Sequence, residues 1–431
     1  MLPGLLLLGA VLSVSPGPNL AKSVLLTDAV ESLGARCLDG SPQRLWLQEA
    51  SSATNTTKWY IHLMGGGWCT SMDDCTRRAY APGNCYRGSS NVSCFNSNGD
   101  YDGHDFNETM DFAHIPCING ARWGGGLLNN DPATNPLTHD WNKVELQYCD
   151  GNSFAGDNAT EDACIPRSSA HAGKPLYFRG ARNLQAALAH LVAHAGLGDA
   201  THLVLSGDSA GGLATYWHAD YVASFAPRAA LLNASMAAPD SGFFLADASK
   251  PAWPAALRWI AEAGNATGGA GLDASCAAAA AAAGRTAAEA CTLPEDVAPH
   301  VATPLFVMNS RYDSALDGIS GHGGAGNATY VNALGRSVLA HVNATVLAGR
   351  PRNAAFLTSC HEHCGQWGQG QRLSYKGKNW DDFNVSIDGL SGAAAFDQWF
   401  GKVEAGGAER SHLWLQQARY PCKTCCSGGQ E

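Results

Sequence analysis

A serine set between glycines is the first arrangement in this sequence that could do chemistry. Gly207-Asp208-Ser209-Ala210-Gly211-Gly212 follows the strand-like residues 202–206 (HLVLS) and opens the helix-like residues 210–222. In a G-x-S-x-G strand-turn-helix, small flanking residues permit a tight turn that lifts the serine hydroxyl above a sheet, at a helix N-terminus. The plainer reading, a Gly-rich turn in which Ser209 only caps the helix, leaves the other motifs unexplained. A serine that attacks a carbonyl needs backbone donors for the oxyanion that develops. Gly65-Gly66-Gly67-Trp68 follows the β-rich run Lys58–Leu63 (KWYIHL), so the N–H groups of Gly66, Gly67 and Ala210 are the expected oxyanion hole. In chain order an acid and then a histidine should follow. Asp313 comes just after residues 304–309 (PLFVMN), with Asp317 as a second candidate acid. His361 and His363 share the loop Cys360-His361-Glu362-His363-Cys364, tied by its two cysteines, and periodicity does not separate them.

These residues need a scaffold that brings distant segments together. Residues 143–148 (KVELQY) alternate as a strand, and residues 182–195 place Leu184, Ala187, Leu188, Leu191 and Val192 on one helical stripe. Further strands are expected at 229–232 and 304–309, and a helix at 330–342. Strands alternating with helices predict a mainly parallel central sheet flanked by helices. Residues 71–137, dense in Cys, Asn, Gly and Asp, read as disulfide-tied loops. Residues 263–299 read as a Gly- and Ala-rich insertion whose Cys276 and Cys291 staple a helical excursion. No repeat or charged linker divides the chain, so one domain over residues 22–431 is expected.

Composition narrows the classes. The 431 residues are 45% apolar and only 15% charged, against a usual charged share of about 25%. That excludes disorder, collagen and coiled coil. Lys and Arg number 28 against 38 Asp and Glu, a net charge of −10, which opposes a nucleic-acid surface. The apolar run at residues 5–12 suits the core of a secretory leader and is too short to span a bilayer, so a leader over residues 1–21 is expected, and no stable membrane insertion. Asn-X-Ser/Thr sequons stand at Asn55, Asn91, Asn107, Asn158, Asn233, Asn265, Asn327, Asn343 and Asn384, and 15 Cys fit an oxidising compartment. An odd count leaves at least one thiol outside the disulfides. The clusters at 360–364 and 422–426 could be metal ligands, but neither has a complementary pair, so disulfides are expected and no metal or cofactor.

Taken together, these motifs resemble the pectin acetylesterase and Notum family of serine carboxylesterases. The resemblance rests on Cys37-Leu38-Asp39-Gly40-Ser41-Pro42, Gly65-Gly66-Gly67-Trp68-Cys69, Trp141-Asn142, Tyr148-Cys149-Asp150-Gly151, Tyr177-Phe178-Arg179-Gly180, the serine motif, Tyr312-Asp313-Ser314, Ser359-Cys360 and His363-Cys364. It implies an α/β-hydrolase-like fold and a Ser-Asp-His triad. In that family the catalytic histidine follows the first cysteine of its loop by three places, which implies Ser209, Asp313 and His363. GGGWC and YCDG look closer to the plant-type esterases, implying a secreted or cell-wall enzyme acting on an O-acetylated polysaccharide such as pectin. A Notum-like removal of long acyl chains from a protein is the alternative, and a silent glycan-binding homologue a third. Two positions depart from the family: Met64 stands where Glu is usual, and Asp208 where Cys or Ser is commoner. Pectin is anionic, so a local cationic groove is expected, with Arg77, Arg78, Arg179 and Arg182 as candidates. No other substrate-binding residue is read from the sequence.

Overall fold

A computed structural model describes residues 21–81, 88–90, 126–159, 173–246, 252–266, 271–319, 327–365, 385–407, 410–422 and 424–426, with backbone alone at 109–110, 115–116, 122–123, 371–375 and 378–383. Among the described residues the central sheet has ten strands: β1 (Ala21–Leu25), β2 (Arg44–Gln48), β3 (Lys58–Leu63), β4 (Thr109–Met110), β5 (Asn142–Leu146), β6 (His202–Asp208), β7 (Ser235–Asp240), β8 (Phe306–Ser310), β9 (Ala354–Thr358) and β10 (His412–Leu415). Their order across the sheet is β10-β9-β8-β7-β6-β3-β5-β2-β1-β4. From β10 to β5 all neighbours are parallel. The β2, β1 and β4 edge is antiparallel. The fold is the expected α/β-hydrolase-like one.

Both faces of this sheet are covered, which is why its strands read as nearly continuous apolar runs. Alternate side chains serve opposite cores. Leu203, Leu205, Ile61 and Leu63 enter one cluster with Leu184, Leu188 and Leu191 of the helix Gly180–Ala195 and with Leu213 of the helix Ala210–Ala223. Val204, Tyr60, Met236 and Phe306 enter the other, against Phe396, Trp399 and Phe400 of the helix Gly392–Glu404. The helix Gly180–Ala195 ends at Gly196, whose φ of 84° suits the left-handed cap.

Three local expectations are corrected. Residues 229–232 are not a strand: Pro227 starts the helix Pro227–Leu231, Leu231 and Leu232 are 84% and 47% exposed, and the strand begins at Ser235. Val192 is exposed rather than part of the buried stripe. Within residues 71–137, Ser71 caps a regular helix, Met72–Tyr80, by accepting the Asp74 N–H at 3.2 Å.

The disulfides among the described residues are Cys37–Cys149, Cys276–Cys291, Cys360–Cys426 and Cys422–Cys425. Cys276–Cys291 staples the helix Ala274–Ala282 to the helix Ala287–Ala290 that follows it. The histidine loop is braced differently from expectation: Cys360 is tied to Cys426 near the C-terminus, and Cys364 is not in a disulfide. The sulfurs of Cys360, Cys422, Cys425 and Cys426 are thereby consumed, so none of these four can serve as a thiolate ligand. Among the described residues no helix is long and apolar enough to cross a membrane.

Candidate active site

Ser209 lies on the turn between β6 and the helix Ala210–Ala223, with φ at 54°. With ψ at −119°, that positive-φ conformation is costly for a serine and persists only where its surroundings over-determine it. The surroundings here are backbone. A Cβ on Gly207 would lie 2.3 Å from the Gly211 carbonyl oxygen, one on Gly211 1.9 Å from that of Leu63, and one on Gly212 2.4 Å from that of Asp240. The helix start is therefore pressed against β3 and β7. The Ser209 N–H also donates to the Asp240 carbonyl at 3.0 Å.

His363 approaches from the loop after β9, and Asp313 from the end of β8. The Nε2 of His363 lies 2.7 Å from Ser209 Oγ, and its Nδ1 lies 2.8 Å from Asp313 Oδ1. Asp313 is buried, and it also accepts the Ala315 N–H at 2.9 Å. His363 keeps 22% of its side chain exposed, so the serine–imidazole contact is open to a ligand. Burial alone would lower the imidazole's affinity for a proton. The Asp313 charge and hydrogen bond, helped by Asp208 and Asp240, outweigh it and hold His363 above its ordinary value.

Supports that no sequence motif announced hold these loops. Ser310 donates to the Cys360 carbonyl, and the Cys364 N–H donates to Ser241 Oγ at 2.8 Å. The Arg311 guanidinium reaches Ser359 Oγ at 3.3 Å and the Ala418 carbonyl at 2.7 Å, tying the acid loop to the histidine loop. His361 instead packs on Tyr420, with ring centroids 5.0 Å apart. Asp317 falls in the helix Ser314–Ile319, its side chain outside the described residues.

The glycine loop is anchored by its carbonyls. Arg78 Nη1 donates to the Gly66 carbonyl at 2.7 Å, and the Tyr148 hydroxyl donates to that of Gly67, whose φ is 66°. A Cβ on Gly66 would meet the Tyr148 ring at 2.1 Å. In a trans peptide the carbonyl and the following N–H point opposite ways, so fastening the Gly66 carbonyl to Arg78 turns the Gly67 N–H away from it. Among the described residues nothing accepts the N–H of Gly66, Gly67 or Ala210.

Aromatic rings wall the same place. Trp68 packs edge-on against Phe244 at 4.8 Å and against Trp253 at 5.2 Å, and Phe244 lies 6.0 Å from the His363 ring. Trp68 Nε1 donates to Ser153 Oγ at 2.7 Å, and Ser153 donates to the Ala210 carbonyl at 2.8 Å.

A profile of the Pectinacetylesterase family matches residues 18–99 and 118–427. The chain belongs to that family. Among similar curated proteins of Arabidopsis thaliana, pectin acetylesterase 5 is 31% identical over 289 residues, 67% of this chain and 56% of that one. Pectin acetylesterase 11 is 30% identical over 297 residues, 68% of this chain and 63% of its own length. The palmitoleoyl-protein carboxylesterase NOTUM of Homo sapiens is 27% identical over 188 residues, 43% of this chain and 29% of that one. The matched region thus spans about three-fifths of the plant relatives' length.

On this pectinacetylesterase-family chain the four arginines do not form a free cationic groove. Arg77 and Arg78 both pair with Asp74, at 3.1 and 3.4 Å. Arg179 donates to the carbonyl oxygens of Ala159 at 2.8 Å and Gly34 at 3.4 Å, and Arg182 to Asp157. Counting charges in the sequence could not show these partners. Of the sequons, Asn55 and Asn158 are half-buried and spend their amides on Asp140 (2.6 Å) and the Ala263 carbonyl (3.1 Å), whereas Asn233, Asn265, Asn327 and Asn343 are exposed, Asn265 with a longer bond of 3.5 Å to the Asp157 carbonyl. Asn91, Asn107 and Asn384 lie outside the described residues.

Proposed function

We propose that this chain is a secreted serine carboxylesterase that removes O-acetyl groups from a cell-wall polysaccharide, pectin by preference. The observation that carries this reading is the unbroken relay from Ser209 Oγ through His363 to Asp313, at 2.7 and 2.8 Å. Asp313 accepts the hydrogen bond of the Nδ1–H and so fixes the tautomer, leaving the Nε2 lone pair to take the proton of Ser209 as its oxygen attacks the ester carbonyl. The N–H groups of Gly66, Gly67 and Ala210 receive the oxyanion, the protonated imidazole hands its proton to the departing sugar oxygen, and water then resolves the acyl-enzyme by the same path. The names of the plant relatives supply the substrate class. The preference for a short acyl group rests on the same names, acetylesterases in the plant relatives against the palmitoleoyl group in the name of the NOTUM relative.

The test is release of free acetate from acetylated pectin and acetylated xylan, together with a p-nitrophenyl ester series. Acetate from pectin exceeding that from xylan, and rates falling from acetyl to octanoyl, are expected. Rates rising toward octanoyl would move the assignment to long-chain deacylation.

The pH profile follows from the environment of His363. The base must be neutral to act, and its neighbours hold the proton on to a higher pH than usual. Activity should therefore fall as pH drops through a value above the ordinary 6.5, and kcat/KM against pH reads this directly. Four disulfides among the described residues and four exposed sequons support the extracellular placement, with a leader that ends ahead of the buried Ala21 of β1 and a single esterase domain from β1 onward. Peptide mapping of the secreted chain would find glycans at Asn233, Asn265, Asn327 and Asn343 before Asn55 or Asn158.

A further inference from the structure

We propose that Asp208 is a positioning residue that sets the oxyanion loop against the nucleophile and joins it to the histidine loop. The inference rests on the esterase reading above and adds to it a carboxylate outside the triad. Asp208 immediately precedes Ser209. Its Oδ1 accepts the Gly65 N–H at 3.0 Å and faces His62 Nε2 at 3.1 Å, and its Oδ2 lies 3.7 Å from Sγ of Cys364, the residue after His363. One carboxylate therefore touches the loop that carries Gly66 and Gly67, the strand β3 that leads into it, and the loop that carries the base. The approach is close because Gly65 has no side chain: a Cβ there would lie 2.5 Å from the Asp208 carbonyl oxygen and 2.7 Å from Oδ2. His62 is held in turn by the Tyr60 hydroxyl, 3.2 Å from its Nδ1.

Asp208 is also the standing negative charge of this cluster. Around it are His62, Glu145, Tyr60, Asp240, Cys364 and His363, and His363 further faces Asp313 and Glu362. Burial pushes Glu145 up to about 8, Asp240 to about 7 and Glu362 to about 7, so toward and below neutral pH these tend to carry protons. Burial acts the same way on Asp208, but the His62 hydrogen bond and charge and the Gly65 N–H overcome it and keep its carboxyl below the usual range. Its charge adds to that of Asp313 in holding a proton on His363.

Two variants separate the parts of this role. Asp208→Asn keeps an oxygen for the Gly65 N–H and removes the charge; Asp208→Ala removes both. With p-nitrophenyl acetate, Asp208→Asn should keep kcat within about tenfold of wild type while the acidic limb of kcat/KM moves to lower pH. Asp208→Ala should lose about 10²-fold in kcat with KM nearly unchanged, the size of one misplaced oxyanion donor. Hydrogen exchange at the Gly65 amide, which needs no turnover, should be slow in wild type and Asp208→Asn and fast in Asp208→Ala. An unmoved acidic limb in Asp208→Asn, or a slow Gly65 amide in Asp208→Ala, overturns the proposal. Ser209→Ala run beside them separates the two failures, since wild-type turnover equal to that of Ser209→Ala condemns the esterase reading and leaves the exchange result to decide the role of Asp208.

Discussion

Ser209→Ala is expected to lower kcat on an acetyl ester by about 10⁵–10⁶-fold while leaving the fold and KM nearly intact. The hydroxyl is the only part of Ser209 that the relay uses, and its φ of 54° is set by backbone contacts that alanine would also make. Residual turnover should come from the oxyanion donors and binding alone, about 10³–10⁴-fold over water. His363→Ala should fall by a similar factor, because a serine without its base is scarcely a nucleophile. The double variant should be no worse than either single one, since serine and histidine act as a unit. Asp313→Asn should lose about 10⁴-fold, because an amide can fix the wrong tautomer of a ring it meets at 2.8 Å. Steady-state kinetics of the four proteins, each checked for its thermal transition, measures this.

Gly211→Ala should strongly destabilise the folded protein rather than merely slow it. Its methyl group would stand 1.9 Å from the Leu63 carbonyl oxygen and 2.8 Å from that of Met64. Both obstacles are backbone, one at the end of a central parallel strand, so no side-chain rotation relieves the overlap. Relief requires the helix Ala210–Ala223 to lift from β3, opening the buried contacts of Leu213 and Ala214. A cost of about 3 kcal/mol or more is expected, at or above the upper end for overpacked cores. Gly196→Ala is the control: its φ is 84° but nothing lies within 4 Å of the added carbon, so it should cost only about 1–2 kcal/mol. Chemical denaturation of the two variants, or the soluble yield where Gly211→Ala does not fold, compares them.

The sequence made the central strands legible because they are buried on both faces. The run at 202–206 lies inside the observed His202–Asp208, and KWYIHL matches Lys58–Leu63. It misled at 229–232, where Leu231 and Leu232 are apolar yet project into solvent after Pro227. Spacing could not choose between His361 and His363, since two residues in one loop differ only in where the loop turns. The family resemblance pointed to His363, and the structure places that ring, not His361, between Ser209 and Asp313.

Asp208 and Met64 illustrate a different limit. As letters they are two departures from the family pattern. In the fold, Met64 packs against both core clusters, and the neighbouring Asp208 carboxylate holds the Gly65 N–H that follows Met64. The supports from Arg78 and Tyr148 were illegible for the same reason: each acts on a main-chain carbonyl, and a carbonyl leaves no mark in a sequence.

The central claim, an acyl-enzyme on Ser209, is tested most directly by trapping it. Wild-type protein mixed with p-nitrophenyl acetate, quenched in acid within the first turnovers and digested, should carry one acetyl group on the peptide containing Ser209, and Ser209→Ala treated alike should carry none. An unlabelled Ser209 peptide during active turnover, or equal turnover by Ser209→Ala, would contradict the account.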